Sequence, residues 1–281
     1  NSIAKHLKTL RAILNKAADD GLIQPYEIPR KLISVKEIPP TITGLQDEEL
    51  NKLITLPIKE NTDRWNARNL FLFAMYEGGI RIGDIIQLRW RNIVGDRLIY
   101  VMTKNGKQVN VILVQEAKKI LMRYKRQGQR PEHYIFPYLD SSAEYAKYLD
   151  YEDRQKMPPD ISKKLFETIN AREARIGMML REIRALTGIP HLTFHTARHT
   201  FALRAKEANV DNTTLKNILK HSSLNTTETY VKKLDCRSED AAMRVMYLDK
   251  ARKNKEKKRI IKQIQKLGFS TEELIELLAG D

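Results

Sequence analysis

The spacing of apolar residues changes once along this chain, and that change limits its fold more than any other feature. Most of the sequence repeats apolar residues every three or four positions, as in residues 1–20 and Trp65–Tyr76, which predicts helices. Between residues 89 and 114 the spacing falls towards two, with turn signals at Gly95-Asp96 and Asn105-Gly106. The predicted strands are Arg89–Ile93, Arg97–Met102 and Gln108–Val114. We therefore expect a mainly α fold with one small three-stranded antiparallel β-sheet, an α+β class.

Further helices are predicted on both sides of this sheet. They begin near Gly44–Leu50, run from Arg81 to about Leu88, resume beyond Gln115, and lie around His195–Ala208 and Asp211–Leu219. The pattern beyond Gln115 is interrupted at Tyr134–Pro137 and at Pro158-Pro159. Glycines are expected to end two of the helices, at Gly21 and at Gly78-Gly79.

Proline and charge divide the chain into three parts. Four prolines among basic residues between Pro25 and Pro40 predict an extended linker, so residues 1–40 are expected to be the end of a helical domain plus that linker. Because the chain opens on Asn1 inside a helical pattern, we expect that domain to be truncated. Residues 41–235 are the predicted main domain, and residues 236–281 a basic tail with a terminal helix.

The tail combines a basic run with a capped apolar segment. The basic residues are Lys250, Arg252, Lys253, Lys255, Lys257, Lys258, Arg259, Lys262 and Lys266. This run is compatible with phosphate contacts, with subunit contacts or with a solvated helix face. A capping-box pattern at Ser270–Glu273 precedes the apolar residues Leu274, Ile275, Leu277 and Leu278, which need a partner surface.

Charge and cysteine content narrow the class of protein. Fifty Lys and Arg residues against thirty-five Asp and Glu residues give a formal net charge of +15, which favours a polyanionic partner, although a generally basic or ribosomal protein is also compatible. The single cysteine, Cys236, excludes an intramolecular disulfide, as expected for a reducing cytoplasm. No run of about eighteen apolar residues is present, so we expect no membrane partner.

Three short motifs carry candidate chemistry, and each alone has an ordinary structural explanation. Arg81 follows a glycine pair and could simply pair with Asp84 on the surface. His195 and Arg198 are three residues apart and share a helix face, which a capped helix start would also place there. A metal site at His195 and His199 lacks the glutamate of a HExxH motif, and Arg198 would repel a cation. The third motif runs from His221 to Tyr230, where a tyrosine is most often a packing residue.

Together, in order and with suitable separations, the motifs resemble the tyrosine recombinase, or phage integrase, family. Gly79-Ile80-Arg81 with Asp84 is similar to the family's first arginine motif, and His195 with Arg198 to its His-x-x-Arg box. His221 and Tyr230 match its later histidine and its nucleophile. The family's hairpin lysine falls on Lys104, with Lys107 as a rival across the same turn. The resemblance covers about residues 1–235. The sequence around Phe194–His199 is similar to that of integrases of bacterial mobile elements.

The resemblance implies a mechanism that the residue types can perform. Without a metal, a phosphodiester needs positive charge at the phosphorane, and Arg81 and Arg198 can each fork onto its oxygens. Tyr230 has an ordinary pKa of about 10 and needs a base, for which His195 is the candidate. Lys104 would protonate the departing 5′ oxygen, His221 would bind a phosphate oxygen, and Asp84 would orient Arg81 or His195. A 3′-phosphotyrosine link would form with no cofactor, no metal ion and no ATP.

The expected partner is double-stranded DNA carrying specific recombination sites. The resemblance also implies a homotetramer on DNA, accessory DNA-bending proteins and a cytoplasmic, nucleoid-associated location. Lys107 and Lys220 are candidate DNA contacts, and Lys220 stands where the family usually has a glycine. A type IB topoisomerase would use the same chemistry without partner sites, and an architectural DNA-binding protein would have no use for all six catalytic candidates. The sequence does not reveal the target site.

Overall fold

The computed structural model describes residues 2–25 and 43–220, and it is helical apart from one small sheet. Within these ranges the helices are α1 (Ser2–Asp19), α2 (Asp47–Thr55), α3 (Asp63–Tyr76), α4 (Ile82–Ile85), α5 (Gln115–Met122), α6 (Tyr151–Gln155), α7 (Pro159–Thr187), α8 (Phe194–Glu207) and α9 (Asn212–Leu219). The strands are β1 (Ile93–Val94), β2 (Arg97–Val101) and β3 (Gln108–Ile112). The predicted fold class is confirmed.

Helix α3 forms the centre of the core. Every residue from Trp65 to Met75 is buried, and Leu70, Phe71 and Phe73 are fully buried. A helix that is buried on all sides must be covered by other elements on each side. The covering elements are α5, α7 and α8. This arrangement places the carboxyl end of α3 beside α8.

The first helix was predicted correctly, and its end is set by Gly21. Helix α1 spans Ser2–Asp19, and Gly21 has a φ of +73°, a conformation that glycine adopts without strain. Ile3, Leu10 and Ile13 on this helix are exposed. Most of the predicted linker lies outside the described residues, as do residues 221–281 with the basic tail. The boundaries between the three predicted parts therefore stay predictions.

The helix predicted from Arg81 to about Leu88 is much shorter in the structure. Helix α4 covers only Ile82–Ile85. The chain then turns, because the carbonyl of Leu88 accepts a hydrogen bond from the N–H of Ile135 at 2.9 Å. This tertiary contact draws the chain towards the loop that follows α5 and prevents further helical turns.

The strand predicted at Arg89–Ile93 is wrong. Residues Trp90–Asn92 form a single 3-10 turn, and β1 is limited to Ile93–Val94. The cause is Arg89, which is 4% exposed and donates to the carbonyls of Glu132 and Ala146 at 2.5 and 3.0 Å. Its guanidinium also lies 4.2 Å from the ring centroid of Tyr134. The backbone here pairs with residues 131–134 instead of joining the sheet, since Arg89 forms an isolated bridge with Tyr134 and the N–H of Trp90 donates to the carbonyl of His133 at 3.1 Å.

The other two predicted strands are confirmed as an antiparallel hairpin. Strands β2 and β3 pair with Tyr100 opposite Val109 and Val101 opposite Gln108, and β1 adds to the far side of β2. The turn at residues 103–107 is closed by the N–H of Met102, which donates to the carbonyl of Lys107 at 2.9 Å. Gly106 has a φ of +64°. The Asn105-Gly106 signal therefore marks the turn that was expected.

Helices α8 and α9 match their predictions closely. Thr193 precedes α8 and forms a capping box with Thr196. The carboxylate of Asp211 caps α9 by accepting from the N–H groups of Thr213 and Thr214, each at 2.9 Å. None of the described helices combines the length and hydropathy needed to cross a membrane.

Candidate active site

A glycine pair places the carboxyl end of α3 directly against α8. Gly78 and Gly79 have φ values of +79° and +70°, in the left-handed region that favours glycine. A methyl group on Gly79 would lie 2.8 Å from both Cα and Cγ of Arg198, closer than real carbon atoms approach. Glycine is therefore required there both by backbone conformation and by space. The close approach brings the first arginine motif to the His-x-x-Arg box.

Arg198 is buried and held by two backbone carbonyls. The residue is 5% exposed. Its Nη1 and Nη2 donate to the carbonyl oxygens of Gly79 and Leu219 at 3.0 and 2.6 Å. The guanidinium thus joins the end of α3 to the end of α9. Two of its five N–H donors fix its position, which orients the planar group.

Arg81 lies at the start of α4, directly after the glycine turn. It is half-buried and has the extended backbone of a helix-capping position. Its Nη1 contacts the sulfur of Met102 at 3.7 Å, which is a weak acceptor. Met102 directly follows strand β2, so Arg81 lies between α4 and the hairpin.

His195 lies within the electrostatic reach of both arginines. Burial lowers the pKa of His195, and the charges of Arg198 and Arg81 lower it further. The same effects, burial first and then His195 and Arg198, lower the pKa of His199 to about 4. Both imidazoles are therefore neutral near pH 7, and a neutral imidazole can accept a proton.

The two histidines pack edge to face. Their ring centroids are 4.5 Å apart, and the planes meet at 88°. No third His, Cys, Asp or Glu side chain in the described ranges completes a group able to hold a metal ion with them. In the part of the chain that the structure describes, the metal-site alternative for this pair therefore gains no further ligand.

The β2–β3 turn carries Lys104 two residues after Met102, whose sulfur contacts Arg81. Lys104 is exposed at the tip of the turn, and Lys107 is half-buried at its end. The N–H of Thr103 donates to Oδ1 of Asp84 at 2.8 Å. Asp84 was expected to orient Arg81 or His195, whereas the hydrogen bond that it makes holds the backbone next to Lys104. Its other oxygen, Oδ2, is buried with no hydrogen-bond partner among residues 2–25 and 43–220.

Lys220 ends α9 in a left-handed conformation. Its φ and ψ are 53° and 37°, and its N–H donates to the carbonyl of Lys216. This left-handed region favours glycine, so Lys220 occupies a conformation that glycine would adopt without strain. The described chain ends here, one residue beyond the Leu219 carbonyl that Arg198 contacts. His221 and Tyr230 lie outside the described residues.

The structure also brings groups to this site that the sequence did not single out. Tyr100 is buried, and burial raises its pKa, with Asp84, Arg198 and Arg81 all close enough to act on it. Gln87 and Arg154 form a hydrogen-bonded pair at 2.6 Å beside the β2–β3 turn. Tyr100 lies on a predicted strand, but nothing in the sequence signals that Arg154 is close to Gln87, since 67 positions separate them.

Two solved structures of similar fold are integrases bound to DNA. A lambda integrase dimer bound to a COC′ core site aligns with a TM-score of 0.53 at 16% identity, covering 80% of this chain and 71% of that one. The integrase of transposon Tn1549, in complex with circular intermediate DNA, aligns with a TM-score of 0.50 at 16% identity, covering 85% and 77%. The fold is that of the catalytic domains of tyrosine recombinases.

The sequence model of the phage integrase family matches residues 44–237, which is more than half of the chain. The chain belongs to the phage integrase family. Tyrosine recombinase XerA of Thermococcus kodakarensis is 25% identical over 211 residues, covering 75% of this chain and 62% of the relative. Tyrosine recombinase XerC of Corynebacterium glutamicum is 23% identical over 235 residues, covering 82% and 67%. The chain thus spans less than two thirds of the length of the XerA relative.

Proposed function

We propose that this chain is the catalytic part of a site-specific DNA recombinase that cuts and rejoins strands through Tyr230. The observation that carries the proposal is the convergence of Arg81, His195 and Arg198 at the junction of α3, α4 and α8. The relatives are tyrosine recombinases, and the solved neighbours hold integrases bound to DNA. The formal charge of +15 fits a DNA partner.

In the proposed first step, Oη of Tyr230 attacks the phosphorus atom and the bond from phosphorus to the 5′ oxygen breaks. Neutral His195 takes the tyrosine proton, which its lowered pKa permits near pH 7. Lys104 gives a proton to the departing 5′ oxygen. The products are a 3′-phosphotyrosine and a 5′-hydroxyl, and the reverse reaction joins a new 5′-hydroxyl.

The phosphorane carries negative charge on its non-bridging oxygens. Arg81 and Arg198 would bind these oxygens, with His221 adding a further hydrogen bond. Arg198 is held in place before the substrate binds, so little reorganisation accompanies charge development. Because the phosphotyrosine conserves the bond energy of the phosphodiester, strand exchange would need neither ATP nor a divalent ion. Lys107 and Lys220 would contact DNA phosphates, and a tetramer would hold two duplexes together.

The test is the formation of a covalent protein–DNA adduct in EDTA. Duplexes that bind the protein are first selected from a random library, then nicked to trap cleavage, and adducts are separated on denaturing gels. We expect an adduct with the unchanged protein and with Tyr247→Phe, a control that removes another tyrosine, but none with Tyr230→Phe. The released strand should accept a kinase label without phosphatase treatment, which identifies a 5′-hydroxyl. An adduct that persists in Tyr230→Phe, or that requires a divalent ion, would contradict the proposal.

A further inference from the structure

The segment that joins α5 to α7, residues 123–158, is fixed to the catalytic domain on two sides. We call it the α5–α7 connection. Its residues Leu139, Tyr145 and Met157 pack against Ile161 and Leu165 on the first turns of α7. Buried Arg89 ties its middle to the core by donating to the carbonyls of Glu132 and Ala146. The connection is therefore a firm support, and its last element is the short helix α6.

Helix α6 reaches back to the elements that carry Arg81 and Asp84. Nε of Arg154 donates to the carbonyl of Asp150 at 3.1 Å, and Nη1 donates to Oε1 of Gln87 at 2.6 Å. Burial lowers the pKa of Arg154, while Tyr134 and Asp84 act in the opposite direction, so the guanidinium lies within reach of the Asp84 charge. The first of these contacts sets the direction of the guanidinium, and the second fixes Gln87.

Gln87, which accepts from Arg154, also contacts the β2–β3 turn. Its Nε2 donates to the carbonyl of Gly83 at 2.6 Å and lies 3.4 Å from Oγ1 of Thr103. Thr103 is also held through its N–H by Asp84. The residue that precedes Lys104 is therefore fixed by two side chains, one of which is itself fixed by Arg154.

Tyr151 of α6 supports the other side of the same turn. A methyl group built on Gly106 would lie 3.3 Å from Oη and 3.5 Å from Cζ of Tyr151, so the phenol ring lies against the turn. Between α6 and the hairpin is a cavity of about 230 Å³ that is lined by Asp84, Gln87, Tyr100, Thr103, Tyr151 and Arg154. A cavity therefore separates α6 from part of the turn, and a few individual contacts, not close packing, connect the two.

We infer that Arg154 and Tyr151 are positioning residues for Lys104. They hold the β2–β3 turn from both sides so that the ammonium lies at the departing 5′ oxygen. The inference rests on the proposed function, because Lys104 has a proton to donate only if Tyr230 displaces that oxygen. Neither side chain touches the DNA phosphate in this role; each acts through the turn.

A DNA substrate with sulfur in place of the bridging 5′ oxygen distinguishes this positioning role from a merely structural role. A thiol ionises near pH 8.5, far below an alcohol, so a departing thiolate needs no proton donor. The bond from phosphorus to sulfur then breaks with the electron pair leaving on sulfur, and the weakly phosphorus-reactive thiolate does not reverse the step. A defect in the placement of Lys104 slows only the oxygen substrate, whereas a defect in folding slows both.

The cleavage position is first mapped with the unchanged protein. The experiment then measures single-turnover adduct formation on two duplexes, one with the ordinary bridging 5′ oxygen at that position and one with sulfur in its place. We expect Arg154→Ala and Tyr151→Ala each to slow the oxygen substrate by about 10- to 100-fold, since misplacement of a catalytic group by about 1 Å has effects of this size. Both variants should cleave the sulfur substrate within about threefold of the unchanged protein. Lys104→Ala should show the same contrast more strongly. Tyr151→Phe keeps the ring and should behave as the unchanged protein.

Lys156→Ala is the matched control, because it removes an exposed cation directly after α6. It should leave both rates unchanged. Equal losses of Arg154→Ala on the two substrates, or no loss on either, would overturn the inference. Failure of the proposed function is distinguishable, because the unchanged protein would then form no adduct on either substrate, or Tyr230→Phe would form one.

Discussion

The two arginines of the site are held in different ways, and the difference has consequences for mutation. Arg198 is buried and donates to the carbonyls of Gly79 and Leu219, so it is part of the fold as well as of the site. Arg81 is half-buried, and the hydrogen bond that its side chain makes within the described ranges is the weak one to Met102. We therefore expect one arginine to serve both stability and catalysis, and the other to serve catalysis.

Replacement of each arginine by alanine should separate these roles. Arg81→Ala and Arg198→Ala should each reduce single-turnover adduct formation by about 10²- to 10³-fold, the usual effect of losing one preorganised donor to a transition-state oxyanion. Only Arg198→Ala should also lower the free energy of unfolding, by about 2–4 kcal/mol, because it leaves two buried carbonyls without donors. Urea unfolding and gel assays on the same preparations measure the two effects.

Arg184→Ala is the control, because it removes an exposed arginine of α7. It should change neither the adduct rate at saturating DNA nor the unfolding free energy appreciably. Equal destabilisation by Arg81→Ala and Arg198→Ala would contradict the assignment of a structural role to Arg198 alone.

At this scale the sequence indicates which side chains share a helix face, but it does not indicate their hydrogen-bond partners. The three-residue spacing of His195 and Arg198 places both on one side of α8, as expected. The carbonyl partners of Arg198 and its contact with Gly79 follow from how α3, α8 and α9 meet, which no local pattern records. The hydrogen bond from Thr103 to Asp84 was missed for the same reason.

At the scale of elements, the sequence predicted the helices whose own apolar spacing is strongly helical. Helices α1, α3, α8 and α9 have strong helical periodicity and clear caps or stop signals, and each was predicted within a few residues. One error falls at residues 123–158, where a mostly helical pattern was expected and the structure has a 3-10 turn at Glu144–Lys147 and the short helix α6. The others fall at residues 86–93, where Leu88 and Arg89 bond to the loop at residues 132–146. Tertiary hydrogen bonds there override a local pattern that fits a helix end and a strand equally well.

The junction of α3 with β3 and α5 contains a buried carboxylate whose ionisation should affect stability. Oε1 of Glu77 accepts from the N–H of Val114 at 3.0 Å, and Oε2 is buried with no hydrogen-bond partner among the described residues. Burial raises the pKa of Glu77 to about 7, and the hydrogen bond from Val114 and the charge of Lys118 only partly oppose it. The folded state therefore favours the protonated form more than the unfolded state does.

Replacement of Glu77 by glutamine should remove a pH dependence from the unfolding free energy. Because the folded pKa is above the unfolded value, the contribution of Glu77 is fully present below about pH 4.5 and is lost as the pH rises through about 7. The unchanged protein should therefore lose stability relative to Glu77→Gln between pH 5 and pH 8, by at most about 3 kcal/mol. Denaturant unfolding at these two pH values measures the difference, and parallel pH profiles for the two proteins would contradict it.

At the scale of the whole molecule, the net charge of +15 is concentrated partly in the basic run between Lys250 and Lys266. This run lies outside the described residues. Its possible roles differ in the salt dependence of DNA binding that they predict. Phosphate contacts release condensed counterions and make binding depend steeply on salt. Subunit contacts through the neighbouring apolar residues would change assembly and leave the salt dependence unaltered. The two roles therefore predict different responses to different mutations.

We expect the basic run to contact DNA phosphates. A variant with Lys253→Gln, Lys255→Gln, Lys257→Gln and Lys258→Gln should bind a random-sequence duplex with a shallower slope of log K against log salt. The slope should change by about 0.9 for each lysine that contacts a phosphate. A second variant, with Leu274→Ser and Leu278→Ser, should keep the slope and weaken only the assembly of subunits on DNA, as measured by sedimentation. An unchanged slope in the lysine variant would assign the run to a solvated surface or to subunit contacts, because charge that never meets a phosphate releases no counterion.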